Sequence, residues 1–124
     1  MSNPLIFVSR HAVNDGELER VKALSEEFRE HVEQADTGLV AYHFHVSDDG
    51  REVTNVQVHA DAASMDAYLP LVEGKIAEAL TILETRRIEV FGTPGPVVAD
   101  VLERNAEHGV DVTVTPGHLT GFSR

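Results

Sequence analysis

The stretch LVAYHFHVSDDGREVTNVQVHA, residues 39–60, decides the fold. Two runs rich in β-branched and aromatic residues, Leu39 to Ser47 and Arg51 to Ala60, flank Asp48-Asp49-Gly50, the composition of a compact hairpin. Gly50 supplies the left-handed position that closes such a loop without a side-chain clash. A three-residue loop pairs Val46 with Glu52, Phe44 with Thr54, Tyr42 with Val56 and Val40 with Val58, gathering a mostly apolar face. A two-residue loop scrambles that face, because a one-residue slip turns every side chain over.

Upstream of the hairpin, Pro4 to Val13 reads as a strand ended by Asn14-Asp15-Gly16. A helix is expected from Gly16 to Ala35, with Asn14 or Asp15 as its cap and Leu18, Val21, Leu24, Phe28 and Val32 on one face. Downstream, Asp61 caps a second helix running to about Leu83, whose stripe is Met65, Leu69, Val72, Ile76, Leu80 and Leu83. Pro70 should kink or divide it. Arg87 to Phe91 gives a fourth strand, ended by Gly92-Thr93-Pro94-Gly95-Pro96.

The order β-α-β-β-α-β is the ferredoxin-like split βαβ arrangement of the α+β class, an antiparallel sheet with both helices on one face and a strand order of 4-1-3-2. Residues 1–95 form this unit. Residues 96–124 are a C-terminal extension of the same domain: a helix from Pro96 to about His108, a Gly109 cap and a strand from Val110 to Thr115. This appendage either extends the sheet or reaches across a dimer.

The 124 residues suit one core, and 42% hydrophobic with 25% charged residues argues for a folded chain. Ten Lys and Arg against 21 Asp and Glu give a net charge of -11, which repels nucleic acid and anionic membranes, so neither is an expected partner. Met1-Ser2-Asn3-Pro4 has no basic n-region and no apolar run spans a membrane, which makes a cytoplasmic protein the expectation. With no cysteine there is no disulfide, thiol nucleophile or thiolate metal site.

Placing Ile6, Val8, Val40, Tyr42, Phe44, Val46, Val56, Val58, Ile88 and Val90 under the helices leaves the opposite face to Leu5, Phe7, Ser9, His11, Leu39, Ala41, His43, His45, Asn55, Gln57, His59, Arg87, Glu89 and Phe91. That set is too polar for a core and too apolar for bare solvent. Two copies packed sheet to sheet, as an isologous homodimer around a small-molecule pocket, explain it.

The element order, the length and the stretch His59-Ala60-Asp61-Ala62-Ala63-Ser64-Met65-Asp66-Ala67-Tyr68-Leu69-Pro70 resemble the dimeric α/β-barrel superfamily, and within it the antibiotic-biosynthesis-monooxygenase-like proteins. The resemblance covers roughly Pro4 to Gly92. It implies a cofactor-independent monooxygenase-like enzyme acting on a small hydrophobic, aromatic or polyketide-like substrate. The alternative is a non-catalytic small-molecule-binding or stress-related dimer. The chain lacks the tryptophan typical of the polyketide monooxygenases and haem-degrading branches, and between Ala63 and Leu83 it has no histidine to match the haem ligand.

His43 and His45 project to one side of their strand. With strand starts aligned, Ser9, Asn55 and His43 form one cross-strand row and His11, Val53 and His45 the next. His43, His11 and Asn55 are therefore the candidate catalytic residues, imidazoles serving as general bases and Asn55 with Gln57 holding developing oxyanion charge. His45, Gln57, His59, Phe7, Tyr68, Glu89 and Phe91 are candidate substrate contacts, although Tyr68 reads equally as a packed helix aromatic. No cofactor or metal is assigned. The same histidines, with Glu89, also suit a divalent metal, or line an inert damp interface.

Overall fold

The computed structural model describes residues 3–35 and 37–124; Met1 and Ser2, part of the N-terminal signal reading, lie outside it. Its elements are β1 (Leu5–Val13), α1 (Leu18–Glu33), β2 (Leu39–Val46), β3 (Glu52–His59), α2 (Ala62–Ala79), β4 (Leu83–Phe91), α3 (Pro96–Glu107) and β5 (Asp111–Thr115). The sheet runs β2-β3-β1-β4-β5. Its first four strands pair antiparallel in the expected order, and β5 adds to the edge parallel to β4. The appendage therefore extends its own sheet, with α3 as the crossover that a parallel pair requires. Among the described residues no helix is long and apolar enough to cross a membrane.

The elements form for the expected local reasons, with adjusted ends. Val21, Leu24, Phe28 and Val32 bury one face of α1, while Arg29 pairs outside with Glu26 and Glu33. Neither Asn14 nor Asp15 caps α1; Glu17 holds the N-cap position, without a side-chain bond. Asp61 does cap α2, its Oδ1 accepting from Ser64 N at 2.8 Å. Pro70 does not divide α2, which ends at Ala79, and β4 begins at Leu83 rather than Arg87.

The hairpin is where the expected structure fails. Ser47 N donates to Glu52 O at 2.9 Å and Gly50 N to Ser47 O at 3.0 Å, so the loop holds four residues, 48–51. Side chains select that length: Ser47 Oγ accepts from Glu52 N and donates to Asp49 Oδ1, which also accepts from Arg51 N. Gly50 takes φ +70°. The extra residue slips the ladder by one, setting Val46 opposite Val53, Phe44 opposite Asn55 and Tyr42 opposite Gln57.

Two strands consequently present the face opposite to the expected one. Leu5, Phe7 and Ser9 of β1 and Val53, Asn55, Gln57 and His59 of β3 are buried beneath the helices. Leu39 joins them against the core. Ile6, Val8, Val56 and Val58, expected beneath the helices, lie on the uncovered face with His43, His45, Glu89 and Phe91. Tyr42, Phe44, Ile88 and Val90 do lie under the helices; Val40 and Val46 are half exposed. β1 is apolar at both parities, so its alternation carries no sign, and a period of two converts a single slip into an inverted face. The core of Leu5, Phe7, Met65, Val72, Ile88, Val90 and Val98 joins β1, α2, β4 and α3 on one side of the sheet.

Candidate active site beneath the helices

A polar band crosses the covered face where a hydrophobic layer is ordinarily found. On β3, Asn55, Gln57 and His59 follow one another at the strand period and are each at most 5% exposed. Their hydrogen bonds have one direction, fixed by a backbone carbonyl. The carbonyl of His43 can only accept, so the group of Asn55 facing it at 3.1 Å is the amide nitrogen. Asn55 Oδ1 then accepts from Gln57 Nε2 at 2.6 Å, and Gln57 Oε1 accepts from His59 Nε2 at 2.8 Å. His59 is thereby the Nε2–H tautomer, leaving a buried Nδ1 lone pair without a partner. Burial lowers its pKa to about 4, so the ring is neutral near pH 7.

Tyr68 of α2 covers this chain. Its ring centroid lies 5.3 Å from that of His59, and its hydroxyl lies 3.1 Å from that of Tyr42. Burial pushes the Tyr68 phenol up to about 12 and that of Tyr42 further up still. Both are neutral donors and acceptors, not bases. Tyr68 is 3% exposed and packs against His59 and Tyr42.

Beside Asn55, across the β1–β3 ladder, stands Ser9, and the band continues from it along β1. Ser9 Oγ lies 2.9 Å from His11 Nε2, and Thr85 Oγ1 of β4 lies 3.0 Å from His11 Nδ1. The imidazole is held between two hydroxyls. Burial lowers its pKa to about 4, and among the described residues no carboxylate pairs with it to reverse the effect.

Thr85 also lines a cavity of about 600 Å³ between α2, β4 and α3. Leu69 and Ile76 of α2, Leu83 of β4 and Val97 and Val101 of α3 make its wall apolar, and Glu73, Glu84, Arg104 and His108 supply charge or polarity. The cavity is open to solvent on one side, where Ile76, Leu80 and Val97 are exposed, and an apolar cleft touching a few convergent polar groups is a usual form of small-molecule site. The α3–β5 appendage supplies one of its walls.

The expected cluster of His11, His43, His45 and Asn55 is divided by the sheet. His11, part-buried, and Asn55, Gln57, His59 and Phe7, buried, lie on the sheet face beneath the helices, onto which Tyr68 of α2 packs, whereas His43, His45, Glu89 and Phe91 project from the other face. His43 and His45, with ring centroids 6.4 Å apart, border a smaller hollow of about 360 Å³ along α1. Glu89 on β4 is three strands from His43 on β2, roughly 14 Å at the inter-strand spacing, too far to share a metal ion. Among the described residues no group of three His, Asp or Glu is arranged to hold one.

Thr85 and the α3 wall escaped the sequence reading. Thr85 precedes the expected start of the fourth strand, and a bulge conceals its parity: Arg10 pairs with Arg87 but His11 with Thr85, leaving Arg86 out of register.

No family model matches the chain, and no curated protein matches it in sequence. Solved structures do share its fold. MupZ from Pseudomonas fluorescens superposes with a TM-score of 0.77 at 21% identity, covering 100% of this chain and 91% of its own. SnoaB, a cofactor-independent oxygenase from Streptomyces nogalater, in a mutant form, gives 0.65 at 13% identity over 76% of this chain and 96% of its own. A protein from Bacteroides thetaiotaomicron, named after antibiotic biosynthesis monooxygenases, gives 0.59 at 20% identity over 67% and 85%.

The chain thus has the ferredoxin-like α+β fold of the antibiotic-biosynthesis-monooxygenase-like proteins, the resemblance already carried by its sequence. The match to MupZ differs in extent, since it takes in the α3–β5 appendage that walls the cavity.

Proposed function

We propose that this protein is a cofactor-independent monooxygenase-like enzyme acting on a small hydrophobic molecule, aromatic or polyketide-like, bound between α2, α3 and β4. The observation that carries the reading is the neutral, uncompensated His11 held behind Thr85 at the edge of an apolar cavity. An imidazole with a pKa near 4 is a weak base in the empty site. Beside a newly formed substrate anion the opposite charge favours imidazolium, so base strength rises as the proton moves. Such a site suits an acidic phenol or activated methylene. The resulting anion is rich enough in electrons to reduce oxygen: a methylene becomes a carbonyl, one oxygen atom remains in it, and the other leaves as water.

The uncovered face supports a homodimer as the working form. Ile6, Val8, Val56 and Val58 place four aliphatic side chains there, flanked by Arg10, Arg87 and Glu89. Two such faces packed sheet to sheet bury them.

The test is a binding screen against aromatic polyketides and quinols, with oxygen uptake measured on each binder. Oxygen consumption that falls by about 100-fold or more in His11→Gln and stays near wild type in His43→Ala is the expected result. Equal loss in both variants would contradict the assignment of His11. Binding without oxygen uptake or conversion would instead identify a sequestering protein.

A further inference from the structure

We infer that Thr85 is the catalytic group that meets the substrate, its hydroxyl passing the substrate's proton to His11; this rests on the enzyme reading above. Thr85 borders the cavity, and its Oγ1 lies 3.0 Å from His11 Nδ1. The other ring nitrogen is closed off by Ser9 Oγ at 2.9 Å, and Ser9 is 5% exposed. A proton from the cavity thus reaches the imidazole through the Thr85 hydroxyl.

The backbone is built to set this pair. Continuing the β1–β4 register past Arg10 and Arg87 would place Arg86 opposite His11. The irregularity between Arg10 and His11 skips Arg86 and substitutes Thr85. A cation beside an uncompensated imidazole would be replaced by a hydroxyl that can both accept and donate. Irregularities that re-aim a side chain in this way are over-represented at sheet edges, at barrel rims and next to active sites.

The step balances without a co-reactant. The substrate's C–H or O–H bond breaks as a new O–H bond forms at Thr85 Oγ1. The original threonine O–H breaks as N–H forms at His11 Nδ1. Substrate anion and imidazolium result, and the threonine is unchanged. This requires the resting imidazole to carry its proton on Nε2, donated to Ser9 Oγ. The ionisable groups facing the cavity are Glu73 of α2, Glu84 of β4, and Arg104 and His108 of α3, none of them a partner of His11.

The experiment pairs turnover with nitrogen-15 NMR of the histidines in the full-length protein. Thr85→Val is expected to bind ligand within about threefold of wild type while turnover falls about 100-fold, and Thr85→Ser is expected to restore most of it. In the ligand-free protein His11 should show the Nε2–H tautomer, with an Nδ1 resonance that moves in Thr85→Val and returns in Thr85→Ser. Wild-type turnover in Thr85→Val, or an Nδ1–H tautomer in the wild type, overturns the relay. If the wild type converts no ligand yet the Nδ1 resonance responds as stated, the enzyme reading fails while the hydroxyl–imidazole pair stands. Should Thr85→Val not fold, Thr85→Ala with the same two readouts decides the matter.

Discussion

The carboxylate of Asp66, on α2, accepts the backbone N–H of Val98 at 2.9 Å and so caps α3, which has no cap from its own sequence. Gly95 holds the N-cap position, and a Cβ there would collide with the Asp66 carboxylate. A negative charge at a helix N-terminus pairs with exposed N–H groups and with the helix dipole. Because α3 is one wall of the cavity, this bond joins the stability of the appendage to the shape of the site.

Asp66→Ala is accordingly expected to destabilise the protein by about 1–2 kcal/mol, a fall in Tm of roughly 3–8 °C. Ligand affinity should weaken with it. Differential scanning calorimetry reads the first effect and titration the second. Wild-type values for both would mean that α3 is held by Val98 and Leu102 packing alone.

The one-way chain from His59 through Gln57 and Asn55 to the His43 carbonyl makes Gln57 its vulnerable link. Gln57→Leu leaves Asn55 Oδ1 and His59 Nε2–H without their partners. At about 1–3 kcal/mol for each unsatisfied buried group, a loss of about 2–6 kcal/mol is expected in denaturant unfolding. A loss under about 0.5 kcal/mol, the range of an ordinary surface change, would show that the band is not structurally required.

Acid should weaken the fold through two histidines. His11 and His59 titrate near 4 in the native protein because burial disfavours their charged forms, against an ordinary 6.5. Between these values the unfolded chain binds more protons than the native one, so stability rises with pH across this window. Their contribution is complete above about pH 6.5 and declines as pH falls toward 4. Asp61 and Asp49, whose carboxyls are held low by hydrogen bonds from Ser64 and from Arg51 N and Ser47, act further down the scale. Denaturation midpoints measured from about pH 7 to about pH 5 should fall more steeply for wild type than for His59→Gln. Parallel profiles would exclude His59 from the acid response.

Sheet-to-sheet pairing makes a separate prediction. Val56→Lys or Val8→Lys places a charge at the centre of the uncovered face, and either variant should elute at half the wild-type mass while retaining its circular dichroism. A wild type that already elutes as a monomer, or an unaltered mass in both variants, would rule out this proposed pairing.

The sequence by itself determined the succession of strands and helices, the antiparallel pairing order and the capping of α2 by Asp61. The elements and the cap follow from local chemistry, namely a helical stripe, a β-rich run or a side chain reaching its own backbone, and the pairing order follows from the element succession of the split βαβ arrangement. The two faces of the sheet were decided by the tertiary structure. The residues of β3 alternate Val53, Asn55, Gln57, His59 against Thr54, Val56, Val58, and the apolar rule assigns the second set to the core. Ser47 and Asp49 instead close a four-residue loop that sets Asn55 against Phe44, and β1, apolar on both sides, pairs with either face. With a side-chain period of two, that single residue exchanged an aliphatic layer for a polar band beneath the helices. The meeting of Thr85 with His11 is likewise a tertiary outcome. It depends on a bulge between strands some 70 residues apart in the chain, which no pattern within either strand records.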